Sequence, residues 1–140
     1  MQDTPELTPL DPLAWVRENP GMIFRAKRFT PVEAALLIAA GPLANGSRDV
    51  RVTRHDGWWI VAADQDWLTP PLDTAVFERL VPQPEAGPNS LYWEIVLTVH
   101  ASDLLTATAA QVVVVKGGGR PPPLDVLLPG RAARSVAFKA

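Results

Sequence analysis

VRVTRHDGWWIVAADQDW, residues 50–67, reads as two β-strands joined by a tight turn and closed by an acidic loop. Val50 and Val52 alternate with Arg51 and Thr53, the period-two pattern of a strand with one buried face. His55-Asp56-Gly57 puts a glycine where a hairpin turn needs positive φ. Trp58 to Ala63 then runs without a charged residue, so this second strand is expected to be the more central one. Its end delivers Asp64 and Asp66 into a loop, which is how a strand builds a ligand site and also how a strand stops.

Upstream, Asp11-Pro12 supplies a cap and a proline at the first helical position, predicting a short helix to about Glu18 that Asn19-Pro20-Gly21 ends in a turn. Thr30-Pro31-Val32-Glu33 has the form of a capping box, with Thr30 accepting from the third residue and Glu33 reaching back. Val32, Ala35, Leu36 and Ala39 follow at helical spacing, and Leu37, Ile38 and Ala40 widen the stripe. That helix is expected to be buried on most sides, weakened or ended at Gly41-Pro42 and ended at the latest by Asn45-Gly46.

Downstream, Asp73 is expected to cap a helix over 74–81, followed by the connection PQPEAGPNS, residues 82–90. LYWEIVLTVH, residues 91–100, favours a strand by alternation and β-branching, with a helix also open. Ser102-Asp103 is read as the cap of a helix through Ala110, Val112–Val115 as a buried strand, and Leu124–Leu128 as its partner across the loop KGGGRPPP. Arg134–Phe138 is the last expected strand. The expected fold is α+β, a two-layer sandwich with helices on one face of a mostly antiparallel sheet. Residues 1–10 read as a flexible lead-in and 11–140 as one domain.

Apolar residues make up 47% of the chain and charged residues 20%, which marks a globular protein. A formal charge of −2 and the lack of a Lys/Arg block make nucleic acid an unlikely partner by charge. There is no cysteine, and two histidines, His55 and His100, do not suggest a metal cluster, so no metal site is expected. No apolar run reaches spanning length and the start is acidic and proline-rich, so a cytoplasmic protein without a membrane partner is expected.

Three sequence features invite chemistry. His100-Ala101-Ser102-Asp103 holds triad residue types, yet sequence neighbours rarely meet triad geometry. Lys116-Gly117-Gly118-Gly119-Arg120 offers glycines between cations, but it lacks P-loop spacing and leads into prolines, so a flexible connection is the stronger reading. Trp58 and Trp59 are consecutive in a strand, so they leave opposite faces. If only one face carries helices, one of the pair is exposed or covered by a partner; against this stands Trp59 packing beneath the N-terminal segment.

VRENPGMIF (16–24), Glu33 at a helix start, RDVRVTRHDGWWIVAADQDWLTPP (48–71) and SDLLTATAAQVVVVKGGGRPPPLDVLLPG (102–130) together set an order of segments. That order resembles the ATP-binding domain of the GHKL superfamily, in particular the N-terminal domain of DNA gyrase B and topoisomerase IV B subunits. The resemblance implies a helix over 91–100 and a later helix before the final strands. It places Glu33 at the family's catalytic glutamate and Asp64 at its adenine-binding aspartate. The family's Mg²⁺-holding Asn falls on Leu37, its loop glycines on Gln65, Asp66 and Trp67, and its phosphate-cradling Gly-x-Gly on His100-Ala101-Ser102. A chain with those replacements is expected not to hydrolyse ATP.

The leading expectation is therefore a non-catalytic protein-interaction or regulatory domain, immunity- or inhibitor-like, that binds another protein or itself. Its surface is expected to include Trp58, Trp59, Trp67 and Arg120. The alternative is a nucleotide- or small-ligand-binding protein with a remodelled pocket retaining Glu33, Asp64 and Asp66; ATP and Mg²⁺ enter only under that alternative.

Overall fold

The structure, a computed structural model, describes residues 11–140; the expected lead-in lies outside them. α1 (Pro12–Glu18) starts as its sequence demands, with the Asp11 carboxylate accepting from the N–H groups of Leu13 and Ala14. Asn19-Pro20-Gly21 does not only turn the chain; Pro20 opens a further turn of helix, α2 (Pro20–Ile23). α3 (Pro31–Ala44) runs through Gly41 and Pro42 and ends at Asn45. The Thr30 side chain makes no cap bond, so the expected capping box is absent.

β1 (Val50–His55) and β2 (Trp58–Ala63) form the expected hairpin, with His55 opposite Trp58 and positive φ at both Asp56 and Gly57. β1 is an outer strand and almost wholly exposed, not half-buried, whereas β2 is buried along most of its length. α4 spans Leu72–Glu78. Pro71 holds its cap position, so Asp73 lies inside the helix instead of capping it.

A 3-10 turn over Pro84–Ala86 leads to α5 (Glu94–His100), which corrects the strand favoured for 91–100 and agrees with the helix the resemblance implied. Glu94, Ile95, Val96 and Leu97 are consecutive and all buried, because α5 packs against α1, α3 and α4. A helix enclosed on several sides loses its polar face, and its apolar run then looks like a strand.

The opposite error occurs next. Asp103–Thr108 is a strand, β3, not a helix capped by Ser102-Asp103, and it departs from the helix the resemblance implied there. β4 (Val112–Lys116) is an exposed outer strand instead of a buried one, with Val112, Val113 and Val114 at 41%, 40% and 55% exposure. Leu124–Leu127 is one helical turn, α6, not β4's partner. β5 (Arg134–Lys139) is the last strand, as expected.

The sheet order is β1-β2-β5-β3-β4, antiparallel at every pairing, so the last strand in sequence lies at the centre. The architecture is α+β. Val61, Ala63, Leu104, Val136 and Phe138 face the core built with α1, α3, α4 and α5. Trp58, Ile60, Leu105, Ala107 and Ala137 face the other way, where Leu127 of α6 covers them. Among the described residues, no helix is long and apolar enough to cross a membrane.

One buried cation ties these layers to the loop after β2. Arg134 is 4% exposed; its Nε and Nη2 donate to the two carboxylate oxygens of Asp66 at 2.7 and 3.0 Å. The same guanidinium donates to the Leu68 carbonyl and to the Thr106 hydroxyl, each at 3.0 Å. Thr106 in turn donates to the Ser135 carbonyl at 2.9 Å. Removing one member of such a buried pair strands the other charge, at a cost of about 3 kcal/mol. Arg134→Met is expected to lower unfolding free energy by that order in urea titration, and adding Asp66→Asn to it should cost little more.

Candidate functional site

The three acidic residues expected to mark a nucleotide site each serve their own stretch of chain. Glu33 accepts from the N–H groups of Arg25 (2.8 Å) and Ala26 (3.3 Å), fastening the α2–α3 connection. Asp64 Oδ1 accepts from the N–H groups of Arg48 and Asp49 at 3.1 and 3.2 Å, closing the loop that enters β1. Partial desolvation acts to raise the Asp64 pKa, but these backbone bonds outweigh it and hold the carboxyl below its usual value. Asp66 is engaged by Arg134 and by the Leu68 N–H. The shallow groove that contains Glu33 is lined by Ile23, Arg25, Leu36, Leu37 and Ala40, and includes neither Asp64 nor Asp66.

The tryptophans also sit differently from expectation. Trp58 and Trp67 are 3% and 2% exposed and offer no docking surface. Trp58 does leave the face opposite the main helices, but its own chain covers it, and its indole N–H donates to the Arg120 carbonyl at 3.1 Å. Trp67 packs on α3 where Gly41 makes room; a Cβ there would stand 3.4 Å from the indole ring. Trp59 is half-buried against the helical core, with the Arg54 guanidinium 4.6 Å from its ring centre. Of the expected surface, Arg120 is exposed and Trp59 partly so.

A buried polar cluster went unnoticed in the sequence. Gln83, 2% exposed, donates from Nε2 to the Gly41 carbonyl (2.9 Å) and to Asn45 Oδ1 (3.1 Å), and Asn45 donates to the Tyr92 hydroxyl at 3.4 Å. Glu94 is 1% exposed, with Oε2 unpartnered. Desolvation drives its pKa up to about 8, although its own backbone N–H and the Trp67 indole N–H pull it down. That indole N–H still completes no hydrogen bond of good geometry. The only sequence signal for Glu94 was a single charge inside an apolar run.

The nucleophile reading fails on geometry. Ser102 Oγ donates to the Lys139 carbonyl and lies 3.4 Å from Asp103 Oδ2, while His100 Nε2 is buried with no partner. His100 stacks on Phe29, with ring centres 5.1 Å apart, and its pKa is lowered by burial and then by Lys116 and Arg17. It is a packing residue of the Phe24–Phe29 cluster. Among the described residues, no three His, Asp or Glu side chains are grouped to hold a metal ion.

The glycine loop is structural. Gly119 N–H donates to Asp103 Oδ1 at 2.7 Å, and a Cβ on Gly117, whose φ is +83°, would collide with that carboxylate and the Ser102 carbonyl. Held this way, residues 120–123 cross the sheet end and bound a cleft of about 520 Å³ with His55, Asp56, Trp58 and Lys139. Compared with protein-family models, with curated proteins and with solved structures, the chain matches none.

Two outcomes follow from this geometry. Because the folded Glu94 pKa lies above its unfolded value of 4.5, the stability it carries is complete below pH 4.5 and lost by about pH 8. Glu94→Gln should flatten that decline in pH-resolved thermal unfolding. Gly117→Ala should cost about 1–3 kcal/mol in the same assay through its forced positive φ and the clash with Asp103.

Proposed function

We propose that the chain is a non-catalytic protein-binding or regulatory domain, of the immunity or inhibitor kind, whose partner docks on the outer face of α3. The observation that carries this reading is the side of α3 turned away from the core. PVEAALLIAAGPLA has one charged residue in 14, so the helix has no polar face to give to water. Its inner side buries Ala34, Ala35, Ile38, Ala39 and Pro42. Val32, Leu36 and Leu43 remain 55%, 59% and 56% exposed, and with exposed Ala40 they fall on one side at helical spacing. A helix apolar all round is ordinarily enclosed, and the described residues enclose this one on one side only.

Ile23 of α2 and Leu37 extend the apolar surface into the shallow groove, and Met22 beside Ile23 is 75% exposed. Contiguous apolar area of this kind supports a protein interface. The engaged states of Glu33, Asp64 and Asp66 support this reading over nucleotide binding. Likeness to the GHKL superfamily remains part of the proposal for the fold alone, supported by the helix at Glu94–His100.

Photo-crosslinking tests it. A benzophenone side chain at Leu36 should yield one discrete adduct in extracts of the source cell, absent when the same group replaces exposed Glu85. Leu36→Glu with Leu43→Glu should abolish partner recovery while changing stability by under about 0.5 kcal/mol per site, the range of ordinary surface substitutions. Identical adduct patterns from positions 36 and 85 would refute the α3 surface.

A further inference from the structure

We infer that the cleft over Trp58 binds a small organic anion, with Arg120 and Lys139 holding its oxyanion and the proline segment holding its apolar body. The site is separate from the α3 groove and shares no residue with it. Its volume of about 520 Å³ falls within the roughly 300–1,000 Å³ of small-molecule sites.

The charge of the lining is the first argument. Arg120 and Lys139 have no carboxylate within salt-bridge distance among the described residues. The one acid in the lining, Asp56, stands 3.3 Å from His55 Nε2 and is 87% exposed to solvent. A chain of net charge −2 thus gathers in one concavity a histidine and two cations that no carboxylate of the described residues pairs. Such a lining attracts an oxyanion and repels a metal ion.

The second argument is rigidity. Pro121, Pro122 and Pro123 form one wall with φ fixed by their rings, and Pro122 is buried. The wall is anchored where it begins, by the Trp58 indole N–H on the Arg120 carbonyl and by the Gly119 N–H on Asp103. Lys139 Nζ stands 5.5 Å from the Trp58 ring centre, so a cation is already drawn over that aromatic side. Little order is lost when a ligand enters a wall set in advance. A free inorganic ion would use the cations and leave the prolines idle; an anion with a flat apolar body uses both.

Phenyl phosphate and benzoate serve as probes of phosphate-ester and carboxylate chemistry, with inorganic phosphate and benzyl alcohol as the charge-only and apolar-only arms. Binding is followed in nitrogen-edited NMR at the Trp58 indole N–H, assigned by its loss in Trp58→Phe. One of the two aromatic anions should give a saturable shift that weakens as salt rises, and the tighter of them identifies the oxyanion. Arg120→Gln and Lys139→Gln should each weaken it about tenfold, with the thermal midpoint unchanged because both side chains reach solvent. Inorganic phosphate binding as tightly as phenyl phosphate, benzyl alcohol shifting the signal equally, or no saturation by about 10 mM would each overturn the proposal. These outcomes leave the α3 reading untouched, since that surface is assayed on different residues.

Discussion

The Arg134–Asp66 pair is the constraint from which the rest of the arrangement proceeds. Arg134 begins the central strand, and its charge is taken out of water with almost no exposure. A guanidinium in that position must find partners for its donors, and it finds them in Asp66, Leu68 and Thr106. The Asp66 loop is thereby drawn onto the sheet, which delivers Trp67 and Leu68 into the core and sets where α4 can start. An acidic loop that looked like a ligand site in the sequence is an anchor for its own fold.

The two faces of the sheet are then covered unequally. Four helices build the core on one side, and on the other a single turn of helix and a proline segment do the work. The thin cover suffices for Trp58, Ile60 and Ala137 but does not reach β4, whose Val112, Val113 and Val114 stay exposed. It also leaves a concavity at the sheet end, because a proline segment cannot fold down into the space between β1's turn and β5.

Elements with local punctuation were legible in the sequence: α1 from Asp11-Pro12, the β1–β2 hairpin from Asp56-Gly57, and the end of α3 from Asn45-Gly46. Elements whose environment hides their period were not. α5 is enclosed by three helices and read as a strand, while β3 is flanked by β5 and β4 with Leu104 and Leu105 buried on opposite faces, and read as a helix. For both, periodicity fails because every face is apolar. The site was less legible still. Glu33, Asp64 and Asp66 were the right residue types, but backbone donors at 25–26 and 48–49 and the Arg134 guanidinium decide their roles. Arg120 belongs to the expected interaction surface beside the glycine loop, whereas Lys139 and His55 come to it only through strand register.

The two outer strands show how exposure and function part company. β1 carries Arg51, Arg54 and His55, so its open edge is charged and resists pairing with another chain. β4 is VVVVK, with a single lysine at its end, and that lysine donates to the Thr98 carbonyl instead of guarding the edge. α3 repeats the pattern, apolar on a side that packs against nothing among the described residues. Folding does not require either feature, since Val32, Leu36, Leu43 and Val114 are each more than half exposed and contribute little to the core. Solubility opposes both. The proposed binding role rests on these apolar residues held at helical spacing against that cost, more than on any missing catalytic motif.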